Sequence, residues 1–98
     1  MAKLDDFVEL EKMRKDFEKI GCVLRLYGGM KERQHSEHDI DFVLRIYNEK
    51  YFLAMYSKLR KWNRIVTKKY GILFDVLIQN KEKKHIYDFE SRYGLVKA

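Results

Sequence analysis

Residues 39–46 read DIDFVLRI, and the alternation within this stretch decides the fold. Successive side chains of a β-strand point to opposite faces of a sheet, so an apolar residue at every second position predicts a strand. The even-numbered positions are all apolar and would face a core, whereas Asp39 and Asp41 would share the other face. Two like charges this close repel each other unless a cation lies between them. The stretch therefore predicts a strand with one apolar face and one acidic face.

A second apolar stretch carries one more carboxylate. Residues 72–78 read ILFDVLI, and the same alternation places Asp75 on the face opposite Phe74. A charge inside so apolar a strand is costly unless it is paired. Taken alone, Asp75 is better explained as a structural carboxylate bonded to arginine, histidine or backbone. Together with Asp39 and Asp41 it favours a metal site, because hard oxygen ligands suit Mg²⁺ or Mn²⁺.

The chain before these strands predicts a helix, a strand and a glycine turn. Apolar residues recur at spacings of three and four across residues 4–20, which indicates a helix, and Gly21 is suited to end it in a left-handed conformation. Residues 22–27 are typical of a strand that stops at a glycine pair. Residues 30–37 are polar and predict a short helix or a loop.

The chain between and after the two apolar strands predicts further elements around them. Asn48 is a suitable N-cap for a helix that runs to about Trp62. Residues 64–68 predict a weaker strand, residues 69–71 a turn, and residues 81–93 a terminal helix. The predicted fold class is α/β or α+β, with a small mixed β-sheet and helices packed against it.

Composition excludes several classes of protein. A length of 98 residues suits one domain over residues 1–98, and the 14% aromatic share argues against disorder. No apolar run approaches the roughly 18 residues of a membrane span. The charged N-terminus does not resemble a secretory signal, and the single Cys22 cannot form an internal disulfide. A reducing cytoplasmic location is therefore expected.

The positive charge is concentrated in the second half of the chain. Residues 1–49 have a net charge of −2, and residues 50–98 have a net charge of +8. Such a basic half suits polyphosphate, nucleic acid or an acidic protein surface, although a solvated basic face explains it equally well. Trp62 and Tyr70 are the aromatic residues nearest the basic cluster, and they are the better candidates for contact with nucleic acid.

The glycine pair before the acidic strand suggests a phosphate site. Gly28 and Gly29 follow a predicted strand, and without side chains their backbone N–H groups can approach anionic oxygens closely. An ordinary tight turn explains the pair equally well. On its own the pair is weak evidence, but it stands about ten residues before the Asp-x-Asp doublet.

The combination of these motifs resembles a known superfamily. An apolar strand, Gly-Gly, a loop, Asp-hydrophobic-Asp-hydrophobic and a later strand with one aspartate together look like the DNA-polymerase-β-like nucleotidyltransferases, and most of all the minimal nucleotidyltransferases. The similarity covers residues 22–78. The resemblance implies a metal-dependent transfer of a nucleoside monophosphate from a nucleoside triphosphate, with ATP the expected donor, to a hydroxyl acceptor.

The resemblance also implies a role for each motif residue. Gly28 and Gly29 would hold the triphosphate, with Lys31 and Arg33 as the available cations of the loop. Asp39, Asp41 and Asp75 would be both the catalytic residues and the ligands of Mg²⁺ or Mn²⁺. Two such cations, about 3.5–4 Å apart, would stabilise the attacking and leaving oxygens.

The sequence departs from the family pattern in two places. Many relatives carry serine where this chain has Gly29, and minimal members often have an arginine and a further glycine in the loop. The resemblance implies that a short chain completes its pocket with a partner, either a second copy or a helical HEPN-type protein of a toxin–antitoxin pair.

Other interpretations remain open from the sequence. An inactive nucleotide- or partner-binding module of the same fold is one, and a basic nucleic-acid-binding domain with structural carboxylates is another. His35 and His38 have the spacing His-x-x-His, but a zinc site is disfavoured because no cysteine supports it. Cys22 opens an apolar strand and is expected to be a small buried hydrophobe.

Overall fold

The computed structural model describes residues 8–26 and 39–98, and it gives side-chain surroundings for residues 9–25 and 41–98. These residues contain two α-helices and five β-strands. In chain order they are α1 (Val8–Glu18), β1 (Cys22–Leu26), β2 (Asp39–Ile46), α2 (Phe52–Tyr70), β3 (Leu73–Gln79), β4 (His85–Glu90) and β5 (Gly94–Lys97), with a 3₁₀ turn at Glu49–Tyr51 before α2.

The five strands form one mixed sheet in the order β1-β2-β3-β4-β5. Strands β2 and β3 are parallel, and every other neighbouring pair is antiparallel. The parallel pair needs a crossover connection, and α2 supplies it. The predicted fold class, a small mixed sheet with helices packed against it, is confirmed.

The core lies between one face of the sheet and the two helices. Strand β3 alternates between half-buried and buried residues along its whole length, as the sequence predicts. The rings of Phe42 and Phe74, on the paired strands β2 and β3, meet edge to face with centroids 5.3 Å apart. Helix α2 buries one stripe against them, made of Met55, Leu59, Trp62 and Val66. Neither described helix combines the length and the apolarity that a membrane crossing requires.

The predicted strand at residues 64–68 and the predicted turn at residues 69–71 are wrong, because α2 continues to Tyr70. The apolar stripe that begins at Met55 keeps its helical spacing through Val66, which is 1% exposed. Burial of this stripe outweighs the weak strand preference of neighbouring β-branched residues. Gly71 then ends the helix with φ of 70°, in the left-handed region that favours glycine.

The predicted terminal helix at residues 81–93 is also wrong, because this segment forms a hairpin. The Asn80 side chain accepts hydrogen bonds of 3.0 Å from the backbone N–H groups of Glu82 and Lys84, which closes a turn. Strand β4 then pairs antiparallel with β3, and β5 adds to the outer edge. The side chain of Asn80 is the sequence signal for this hairpin, because it closes the turn. The many charged residues of the segment made a helix surface the more obvious interpretation.

Helix α1 is attached to α2 through two acidic side chains. The carboxylate of Asp16 accepts three hydrogen bonds of 2.8 Å, from Lys58, Lys61 and Trp62. In the first turn of α1, buried Glu9 accepts bonds of 2.9 Å from Lys69 and 2.7 Å from Tyr70. The order of these contacts makes the two helices antiparallel.

These contacts change the acidity of both carboxylates. Burial raises the pKa of Asp16, but the hydrogen bonds from Lys58, Lys61 and Trp62 outweigh burial and hold the pKa well below its usual range. The hydrogen bonds from Lys69 and Tyr70 lower the pKa of Glu9. Both acids are therefore held in their charged form by the partners on α2.

Cys22 begins β1 and is fully buried, as the sequence predicts for a small hydrophobe. Burial raises the pKa of its thiol to about 11. Since the thiolate is the reactive form of cysteine, this side chain is unreactive at neutral pH.

We expect Asp16→Ala to lower the free energy of unfolding by about 1–3 kcal/mol, because it leaves three donors without their acceptor. Urea unfolding, followed by circular dichroism, measures the change. Glu18→Ala is the matched control, since Glu18 is an exposed acid on the same helix. An equal loss in both variants would contradict the structural role given to Asp16.

The stabilisation by Asp16 should depend on pH in one direction. The pKa of Asp16 is depressed on folding, so its contribution is complete above the unfolded value of about 3.9 and is lost as the pH falls through the folded value. The difference in unfolding free energy between the wild type and Asp16→Asn should therefore shrink steadily as the pH falls below about 3.9. A difference that stays constant or grows in acid would contradict this account.

Candidate functional site

The parallel pairing of β2 and β3 places two of the predicted site residues side by side on adjacent strands. Asp41 is the register partner of Asp75, and neighbouring strands of a sheet lie about 4.8 Å apart. Both residues are half-buried, and their flanking residues Phe42 and Phe74 are buried on the opposite face. The alternation that fills the core thus places both acids on the face that the two described helices, α1 and α2, leave open.

The two acids line a small cleft on this open face. The cleft has a volume of about 190 Å³ and is lined by Asp41, Phe42, Asp75, Leu77 and Asp88. Asp88 enters from β4, where it is the register partner of Leu77. One oxygen of its carboxylate lies 2.9 Å from Nε2 of His85, on the same strand. The cleft therefore has carboxylates from three adjacent strands.

A further acid extends the row across the sheet. Glu90 of β4 is the register partner of Asp75, so Asp41, Asp75 and Glu90 occupy matching positions on β2, β3 and β4. A second cleft, beside the first, contains both Asp75 and Glu90 together with Arg92. Like charges in such a row favour a bound cation or a nearby basic group, because repulsion otherwise destabilises the ionised forms.

Sequence reasoning missed Asp88 and Glu90 because it assigned residues 81–93 to a helix. A signal for them was present. Residues 87–90 read YDFE, an alternation of aromatic and acidic residues with the period of a strand. The buried Phe89 faces the core, and the two acids face the opposite way.

The remaining predicted site residues lie at the edge of the described chain or outside it. Asp39 is the first residue of β2, opposite Leu73 and two positions before Asp41. Its side chain is outside the described part of the structure. So are the glycine pair, the two loop cations and the histidines of the disfavoured zinc site: Gly28, Gly29, Lys31, Arg33, His35 and His38. The predicted phosphate-binding turn stays a prediction.

The paired aspartates suit one kind of metal site. Among the side chains that the structure describes, no group of three or more His, Cys, Asp or Glu residues is arranged to hold a metal ion. Mg²⁺, however, is usually bound through one or two carboxylates together with substrate phosphates and water. Asp41 and Asp75 therefore fit Mg²⁺ when a phosphate ligand supplies the other oxygens. Each of them also interacts with another group of the chain.

The aromatic residues selected for nucleic-acid contact are occupied inside the fold. Trp62 is only 8% exposed, and its indole N–H donates to Asp16. The hydroxyl of Tyr70 donates to Glu9. Trp62 cannot stack on a base without leaving the core, so its selection was wrong. The helical stripe that contains it is the signal that should have assigned it to the core.

The arrangement of the acidic cleft supports two kinds of chemistry. Opposed carboxylates bind a divalent cation together with an anionic ligand, and a carboxylate near a bound hydroxyl accepts its proton. Comparison of the chain with protein-family models, curated proteins and solved structures found no match, so the candidate site is assigned from its geometry and chemistry.

Proposed function

We propose that the chain is a metal-dependent nucleotidyltransferase, which transfers a nucleoside monophosphate from ATP or another nucleoside triphosphate to a hydroxyl acceptor. The observation that supports this most directly is the register pairing of Asp41 with Asp75 on the open face of the sheet. The order of motifs in the sequence adds Asp39, two residues earlier on the same strand. We place the reaction in the cytosol, which suits a chain with one reduced, buried cysteine.

Each group of residues would have a separate part in the reaction. Asp39, Asp41 and Asp75 would hold Mg²⁺ or Mn²⁺, which when bound supplies Lewis-acid stabilisation of charge on phosphate oxygens. The backbone of Gly28 and Gly29 would orient the triphosphate, helped by the loop cations. A carboxylate oxygen of Asp75 would accept the proton of the acceptor hydroxyl. The oxygen of that hydroxyl would bond to the α-phosphorus of the triphosphate, and pyrophosphate would leave.

A second candidate is a binding module of the same fold that binds the nucleotide or a partner but catalyses no reaction. The size of the cleft between the described residues favours it, because about 190 Å³ is less than the roughly 300–1,000 Å³ of typical small-molecule pockets. A partner protein or a second copy of the chain would then complete the pocket. The partner types expected from the resemblance, a HEPN-type helical protein or a homodimer, belong equally to both candidates.

We expect calorimetry to detect ATP binding that requires Mg²⁺ and is lost in Asp41→Asn and in Asp75→Asn. Each change keeps the shape of the side chain but removes a charged ligand of the cation. Glu82→Gln is the matched control, because it removes one negative charge from the exposed turn between β3 and β4. Wild-type binding that is independent of Mg²⁺, or equal losses in all three variants, would contradict the proposed site.

Transfer of a labelled nucleotide separates the two candidates. The full chain is incubated with α-labelled ATP, Mg²⁺ and either a lysate fraction or a co-expressed partner protein, and covalent label is followed on denaturing gels. Label that requires Asp41 and Asp75 supports the enzyme. Metal-dependent binding without any transfer supports the binding module instead.

We expect Asp75→Asn to preserve or raise the melting temperature of the metal-free protein. Asp75 stands between Asp41 and Glu90 in the row of acids, so removal of its charge relieves repulsion on both sides. Thermal unfolding in the presence of a chelator measures the effect. A clear loss of melting temperature would identify Asp75 as a structural ion-pair residue, which is the alternative that the sequence left open.

A further inference from the structure

The cations of helix α2 fall into two sets with different surroundings. Lys58, Lys61 and Lys69 point toward α1 and form ion pairs of 2.8–2.9 Å with its acids. Arg60, Arg64 and Lys68 are exposed on another side of the helix, and within the described part of the chain they form no ion pair. The second set is therefore an uncompensated positive stripe.

This stripe forms one wall of a groove on the described surface. The groove has a volume of about 700 Å³ and lies between α2 and the adjoining ends of β3, β4 and β5. Its lining includes Arg60, Arg64 and Lys68, and no described lining residue is acidic. Because these cations are four residues apart, they recur about every 6 Å along the helix axis. A ligand with regularly repeated negative charges matches such a row.

The floor of the groove is polar and firmly held. Asn63 Oδ1 accepts a hydrogen bond of 2.6 Å from the Ser91 hydroxyl and another of 3.3 Å from the backbone N–H of Phe74. The guanidinium of Arg60 lies over the ring of Tyr56, 5.8 Å from its centroid, and Tyr56 packs on Phe89. The floor and Arg60 are thus held by contacts with residues that pack on the core, which lowers the cost of binding a ligand.

An exposed aromatic residue lies between the basic groove and the acidic cleft. Tyr93 is 72% exposed and lines a small cleft with Arg92. That cleft shares Leu73 and Ser91 with the basic groove and Asp75 with the acidic cleft. Binding sites for single-stranded nucleic acid combine a positive groove along the backbone with aromatic rings on which bases stack. An acidic peptide would use the cations but has no need of the ring.

We propose that this groove binds single-stranded nucleic acid, with phosphates along Arg60, Arg64 and Lys68 and a base stacked on Tyr93. The inference goes beyond the proposed nucleotidyl transfer and does not depend on it, because it concerns different residues and needs neither metal nor triphosphate. It also replaces buried Trp62 with exposed Tyr93 as the aromatic contact.

Binding of a fluorescently labelled single-stranded oligonucleotide to the full chain, measured by anisotropy in the presence of a chelator, tests the cations. We expect the triple variant R60Q/R64Q/K68Q to bind at least tenfold more weakly. The slope of log affinity against log salt should also fall by about 2, since each phosphate contact to a single strand contributes about 0.7. The variant K81Q/K83Q/K84Q is the matched control, because it removes the same charge from exposed residues of the β3–β4 turn. Equal losses in the two variants would overturn the assignment to the groove.

Substitution of Tyr93 tests the stacking. Tyr93→Ala should weaken binding about tenfold, whereas Tyr93→Phe should leave it unchanged, because phenylalanine keeps the aromatic face. Urea unfolding of every variant confirms that the fold is retained. An unchanged affinity in Tyr93→Ala would overturn the contact to the base.

Two further probes distinguish the occupant. If polyglutamate binds as tightly as the oligonucleotide, with the same dependence on the three cations, the ligand of the groove is an acidic protein and the proposal of nucleic acid is overturned. A duplex of the same sequence that binds equally well would overturn the preference for a single strand. Asp41 lines neither the basic groove nor the cleft of Tyr93, so Asp41→Asn should keep full oligonucleotide binding, and failure of the proposed transfer leaves this result intact.

Discussion

Two parallel strands cannot be joined by a tight turn, so the chain between β2 and β3 has to cross the sheet. The crossing is made by the 19-residue helix α2, whose apolar stripe covers the face of the sheet where Phe42 and Phe74 meet. The polar residues of these two strands whose side chains the structure describes are left on the other face. The opposition of Asp41 and Asp75 is a direct result of this connection, because one residue of slip in the register would place a carboxylate opposite an apolar residue.

The same helix also determines how the positive charge is distributed. Its lysines on one side are neutralised by Asp16 and Glu9 of α1, and this pairing joins the helices at the same time. The arginines on the other side have no such partner in the described chain. Three of the positive charges in the second half of the sequence therefore lie together on one wall of a groove. The protein is divided into an acidic sheet face and a basic helix flank, which meet at the ends of β3 and β4.

The sequence was most informative where a single period governs a whole element. Strands β2 and β3 were predicted from apolar residues at every second position, and this period of two also placed Asp41 and Asp75 on one face. It could not give their pairing, because register is a property of two strands and depends on tertiary contacts. The errors occurred where local preference and burial disagree. Residues 64–68 have β-branched side chains, yet Val66 continues the buried stripe of a helix. In β4 the acids looked like a helix surface, although Tyr87 and Phe89 alternate with them.

The fully buried thiol of Cys22 has a practical consequence for studies of this chain. It is the single sulfhydryl group of the sequence, and it sits on β1, paired with Ile46 at one edge of the sheet. Cys22 belongs to the core cluster together with Met13 and Phe17 of α1, so a maleimide or disulfide reagent can reach it only when this packing opens. The rate of modification under native conditions therefore reports how often this part of the core opens, without any engineered label.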